Sequence, residues 1–184
     1  LVEAALDEAL VSDDHAGARR LARLAAQLPG PRSLTLLWSR RDTPDPEARH
    51  VILLALSLRA FADGPERVGQ VRAALEREVA EATRTLACAE DLAGIEPDAL
   101  VIEALDHAVE QARERVLALL SFVYPLDTIW KARANLHAVS PAQRAQAVEL
   151  IDSLLSQELR EIVMPLIEDL PPGTRLARLG LRAA

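Results

Sequence analysis

The sequence predicts an all-α protein, and three observations carry that prediction. The apolar residues are mostly Ala, Leu and Val, while aromatics make up only 3% of the chain. Ala and Leu favour helix, whereas strands are enriched in aromatic and β-branched side chains. Apolar positions recur at steps of three and four, the spacing that lines up one face of a helix. Most prolines fall between these periodic stretches, and no alternating strand pattern is found.

Taken in order, the periodic segments predict helices at about Leu1–Leu10, His15–Gln27, Arg32–Arg40, Pro46–Ala62, Pro65–Leu92, Pro97–Val123, Leu126–Leu136, Pro141–Leu155 and Gln157–Asp169. The stretch Thr174–Ala184 reads as a short extra helix or a frayed end. Asp45-Pro46, Ser140-Pro141 and Glu96-Pro97 each place a cap-like residue before a proline at the first helical position, although Glu is a poor cap. Pro165 is the exception, because it lies inside an apolar pattern and is expected to kink the last of these helices.

Two of the helices are long. In the first, the apolar stripe is Val68, Val71, Leu75, Val79, Ala82, Leu86 and Ala89. In the second it is Ile102, Leu105, Val109, Ala112, Val116, Leu119 and Val123. The short connection Ala93-Gly94-Ile95-Glu96 makes the pair an antiparallel hairpin over about residues 65–123, each arm about 40 Å long. The acids Glu76, Glu78, Glu81, Glu110 and Glu114 read as a solvated face paired with Arg72, Arg77, Arg84, Arg113 and Arg115.

The totals restrict function. A net charge of −7 argues against a duplex nucleic-acid binder, which needs a basic face. Of the 21 basic residues, all but Lys131 are Arg, which suits bidentate contacts between helices, though a genomic base-composition bias accounts for it equally well. A single cysteine, Cys88, excludes a disulfide within the chain and implies a reducing compartment. The longest largely apolar run, Val116–Val123, is far shorter than the ~20 residues of a membrane helix, so this segment is not expected to insert into a bilayer. A start at Leu1 rather than Met is expected of a piece of a longer protein.

Catalytic motifs are not evident. The histidines are His15, His50, His107 and His137; none is four residues from another, and a zinc site would have to gather ligands from separate helices. They read as surface or capping residues. Glu47 and His50 have the Glu-x-x-His spacing of di-iron bundles, but there is no second copy. Glycine-rich phosphate loops and GxSxG elbows are absent. Cys88, without a nearby His, reads as a core or half-buried thiol. The sequence therefore predicts no catalytic residue, no cofactor and no metal ligand. The rare aromatics Trp38, Tyr124 and Trp130 fill gaps between helices; Trp38 and Trp130 are also the candidate partner-binding residues.

A weak repeat ties the shorter helices together. Asp45-Pro46-Glu47-Ala48-Arg49 and Ser140-Pro141-Ala142-Gln143-Arg144 share a cap, a proline and an Arg four residues after the cap, and Ser12-Asp13-Asp14 with Arg19 is a degenerate copy. These segments resemble HEAT repeats over about Leu1–Ala62 and Leu126–Asp169. The resemblance implies a single HEAT-like domain over residues 1–184, an α-α superhelix interrupted by the long hairpin. It places Arg49 and Arg144 on carboxylates or helix ends of the adjacent repeat. With Ala112–Leu136, the stretch Arg144–Asp169 also resembles the helical region attached to some bacterial nucleotide-exchange-type membrane transporters. The implied role is a non-enzymatic protein-interaction or regulatory scaffold. Its partner would be a protein or the neighbouring domains of a longer chain. It would be cytoplasmic, tethered to the inner membrane through a part outside this segment. HEAT-like enzymes, such as a bilin lyase subunit or an alkylation-repair DNA glycosylase, are the alternative, and the acidic charge weighs against the glycosylase.

Overall fold

Helix formation follows the caps and the apolar periodicity closely. The computed structural model describes residues 4, 5, 8, 15–59, 68–92 and 98–180. Most of the expected helix Leu1–Leu10 and the turn at residues 93–96 lie outside the described residues. Among the described residues there are helices and no strands: α1 (His15–Gln27), α2 (Pro31–Ser39), α3 (Pro46–Leu58), α4 (Val68–Leu92), α5 (Ala99–Leu120), α6 (Leu126–Leu136), α7 (Pro141–Leu154), α8 (Gln157–Ile167) and α9 (Pro172–Gly180). None of them is long and apolar enough to cross a membrane. The helices fall into two compact units, residues 1–63 and 64–184.

In the first unit, α1 packs on α3 through a stripe of small residues, Ala18, Ala22 and Ala25, all buried. Opposite them Ile52, Leu53 and Leu56 fill the core. Short side chains let the two helices approach closely, and the longer residues of α3 occupy the space left free. Gly30 enters α2 with φ 98°, a conformation that side chains with a Cβ rarely adopt. Arg59, just past α3, donates to the Leu28 carbonyl at 2.8 Å and so ties the α1–α2 turn to the end of α3.

In the second unit, α4 and α5 form the expected hairpin. Six residues separate them, and Arg115 meets Glu78 partway along both arms, as an antiparallel pair requires. The stripe on α4 is buried from Val71 to Leu86. On α5 only its second half is covered: Val109, Ala112, Val116 and Leu119 are buried, whereas Ile102 and Leu105 are half-buried. Leu100 and Val101 are 71% and 43% exposed, so the apolar period continues beyond the packed part of the helix. Glu114 through Leu120 are buried on every side, because α6 and α8 also pack against this end. Helices α6 and α7 pair with each other, and α8 and α9 lie on α4.

Several boundaries differ from expectation for local reasons. Helix α5 starts after Asp98, whose Oδ1 accepts from the Leu100 amide at 2.9 Å; an Asp caps where Glu96 would not. It ends at Leu120, and Phe122–Tyr124 turn ahead of Pro125, whose ring disfavours helix in the residue before it. Helix α8 continues past the buried Pro165 to Ile167.

The cap-plus-Arg motif has a local purpose. Arg49, four residues after its cap Asp45, reaches back to the carbonyls of Thr43 (2.7 Å) and Pro44 (3.3 Å). Arg144, four after Ser140, does the same to Ala138 (3.1 Å) and Val139 (2.9 Å). Arg160, four after Ser156, bonds Asp152 (2.8 Å) and Leu155 (3.5 Å) in the same way. Each guanidinium bonds carbonyls of the chain just before its own helix. Arg144 also faces Asp169 at 3.5 Å.

Candidate functional site

Charged residues are rarely buried without a partner, so buried ones mark the places where chemistry or specificity has been built in. The second unit buries several. Glu78 is fully buried and Arg115 is 2% exposed; Arg115 Nε donates to Glu78 Oε2 at 2.6 Å, and its Nη2 lies 3.5 Å from Glu81. The hairpin charges read from the sequence as a solvated face, and Glu78, Glu114 and Arg115 depart from it, because all three are buried. Val71, Leu75, Glu78 and Ala82 step by four, three and four, so Glu78 occupies a seam position between the arms.

Beside Arg115 on α5, a second polar cluster joins α5 to α6. Glu110 and Glu114 are four residues apart and therefore share a face of α5. His137 stands at the C-terminal cap of α6. Its Nε2 lies 2.8 Å from Glu114 Oε1 and 3.8 Å from Glu110 Oε1. The outer oxygens are held by arginines: Arg133 bonds Glu114 Oε2, and Arg113 Nη1 bonds Glu110 Oε2 at 3.1 Å. Arg113 is itself anchored by its Nε to the Leu166 carbonyl at 3.1 Å. Arg133 lies over the Trp130 ring, 4.5 Å from its centroid.

Glu114 is 7% exposed. Burial alone would push its carboxyl up, but hydrogen bonds from Arg133 and His137, with the charge of both, outweigh it and hold the group below the usual carboxylate range. Glu110 Oε1, by contrast, is shut off from solvent and has no hydrogen-bond partner. Among the described residues, Glu110, Glu114 and His137 are the one set of three acid, His or Cys donors close enough to share an ion, with one donor atom from each within 4.8 Å of the others.

The predicted candidates lie elsewhere or play other parts. Trp38 is buried in the first unit, its ring covered by Arg41 at 4.4 Å. Trp130, half-buried in the second unit, meets the cluster through Arg133. Glu47 meets Arg19 at the surface. Cys88 is exposed rather than half-buried, because it lies two residues beyond the buried Leu86 and so faces away from the seam. The His137 cluster escaped the sequence reading: its only linear signal is a Glu-x-x-x-Glu pair, and the third group comes from the next helix.

A second feature of this unit is a groove between α4, α8 and α9, with a volume of about 400 Å³. Val79, Ala80, Ile162 and Leu179 form the apolar part of its lining, and Glu76, Thr83 and Arg84 the polar part. Comparison with family models, curated proteins and solved structures returns no match.

Proposed function

We propose that the chain is a non-enzymatic interaction scaffold of HEAT-like helix pairs, which holds a protein partner or a neighbouring domain of a longer chain in the cytoplasm. The observation that carries this reading is the groove between α4, α8 and α9. Four of its lining residues are apolar, and Thr83, one acid and one base, Glu76 and Arg84, complete the lining. An amphipathic helix offers matching chemistry, with an apolar stripe to bury and charges of both signs beside it. The repeated cap-plus-Arg entry to α3, α7 and α8 supports a solenoid-like construction, in which repeated units leave extended surfaces free for binding.

Ala80 is exposed in the groove wall, so a larger side chain there fills the groove without disturbing the core. Ala73, also exposed on α4 but not in the groove, is the matched control. The partner captured by the wild-type protein in cells is expected to be lost with Ala80→Glu and kept with Ala73→Glu. Equal capture by all three proteins would remove the groove from the function.

A further inference from the structure

Three donor atoms converge where α5 meets α6, and their arrangement goes beyond what a salt bridge needs. Each carboxylate has its outer oxygen fixed by an arginine, Arg113 for Glu110 and Arg133 for Glu114. That leaves Oε1 of each turned toward His137 Nε2. An ion bound at 2.0–2.2 Å to such donors holds neighbouring donors about 3.4 Å apart in tetrahedral geometry. The separations of 2.8 and 3.8 Å from Nε2 to the two oxygens bracket that value.

An independent observation also calls for a cation. Glu110 Oε1 is an acceptor sealed from water that receives no hydrogen bond. The rest of the Glu110 side chain is 40% exposed, but this oxygen itself lacks a donor, and a cation in the gap supplies its partner. The ring of His137 is half exposed, so it can reorient by the few tenths of an ångström the site needs. Beside the site, an open surface groove lined by Glu103, Asp106 and Glu110 supplies an acidic approach.

We propose that Glu110, Glu114 and His137 form a binding site for a divalent transition-metal ion. A mixed set of two carboxylates and one imidazole favours zinc or a similar ion over Mg²⁺ or Ca²⁺, which take oxygen donors. The arginines serve as outer partners that orient the carboxylates. The ligand form is the neutral imidazole with its one hydrogen on Nδ1, so the ion takes the place of any Nε2 hydrogen, and a proton displaced from the ring leaves to solvent. Three protein donors leave room for water in the remaining position, and the bound ion links α5 to α6 across the turn at residues 121–125.

The test is a titration of the metal-stripped protein with Zn²⁺ by calorimetry, with the same titration on His137→Ala, Glu110→Gln and His107→Ala. His107 is the control: it lines the neighbouring groove without belonging to the donor set, and its Nε2 lies 2.9 Å from Gln111, so it separates binding by the three donors from binding in the groove. One equivalent is expected to bind wild type and His107→Ala alike. Affinity should fall at least tenfold in His137→Ala and in Glu110→Gln, and excess Mg²⁺ should not displace the zinc. Circular dichroism of the variants, whose substituted side chains are partly exposed, checks that they fold. Binding only at millimolar zinc, equal binding by all four proteins, or displacement by Mg²⁺ would each overturn the site.

Discussion

At the scale of single residues, burial decides what each charge contributes. The Glu78–Arg115 pair has left water almost completely, so its attraction must offset a large desolvation cost. Removing one partner leaves the other uncompensated: Arg115→Ala is expected to lower unfolding free energy by about 3–5 kcal/mol in urea denaturation. Replacing both with apolar residues, as in Glu78→Leu with Arg115→Met, should recover most of that loss. If the double variant is no better than the single, the pair is not the source of the effect. Glu114 behaves differently, because its folded carboxyl sits below the ordinary range. A depressed group contributes stability above its unfolded value, about 4.3 for Glu, and loses it as pH falls through the folded value. In metal-stripped protein, Glu114→Gln should therefore be less stable than wild type at neutral pH, with the gap closing in acid. A gap that stays constant down to pH 3 would contradict the ionised, hydrogen-bonded state of Glu114. Neither group was legible as buried from composition alone. Glu78 could have been found from its place in the 4-3-4 series, whereas Glu114 required knowing that α6 folds back on α5.

At the scale of elements, caps and periodicity are local properties, and the sequence therefore shows them. Asp45 caps α3 with its Oδ1 accepting from Glu47 and Ala48, and the predicted Pro46 start is observed. The length of an apolar stripe, however, does not tell how much of it is covered. In α5 the period runs from Ile102 to Leu119, yet only the part from Val109 is buried. Two substitutions separate these halves. Val109→Asp puts an unpaired charge in the seam and should cost about 3 kcal/mol or more, read as a large fall in melting temperature. Leu100→Asp, at an exposed site, should stay within about 0.5 kcal/mol of wild type. Similar losses from the two would mean that the start of α5 is covered as well.

At the scale of the whole molecule, the acidic balance coexists with ion pairs spread over both units, among them Arg19–Glu47 in the first and Arg72–Glu158 in the second. The linear motifs serve the fold: the cap-plus-Arg signature clamps the chain before α3, α7 and α8. The groove and the Glu110–Glu114–His137 cluster, by contrast, are made by residues far apart in sequence, so no short motif announces either. Apart from His137, every cation in the ion pairs described above is an arginine, and the sequence holds a single lysine, Lys131. Lysine ammonium groups begin to lose their charge near pH 10.4, whereas guanidinium groups keep theirs beyond pH 12. The arginine bridges named above thus keep their cations in alkali that would undo a lysine-based network.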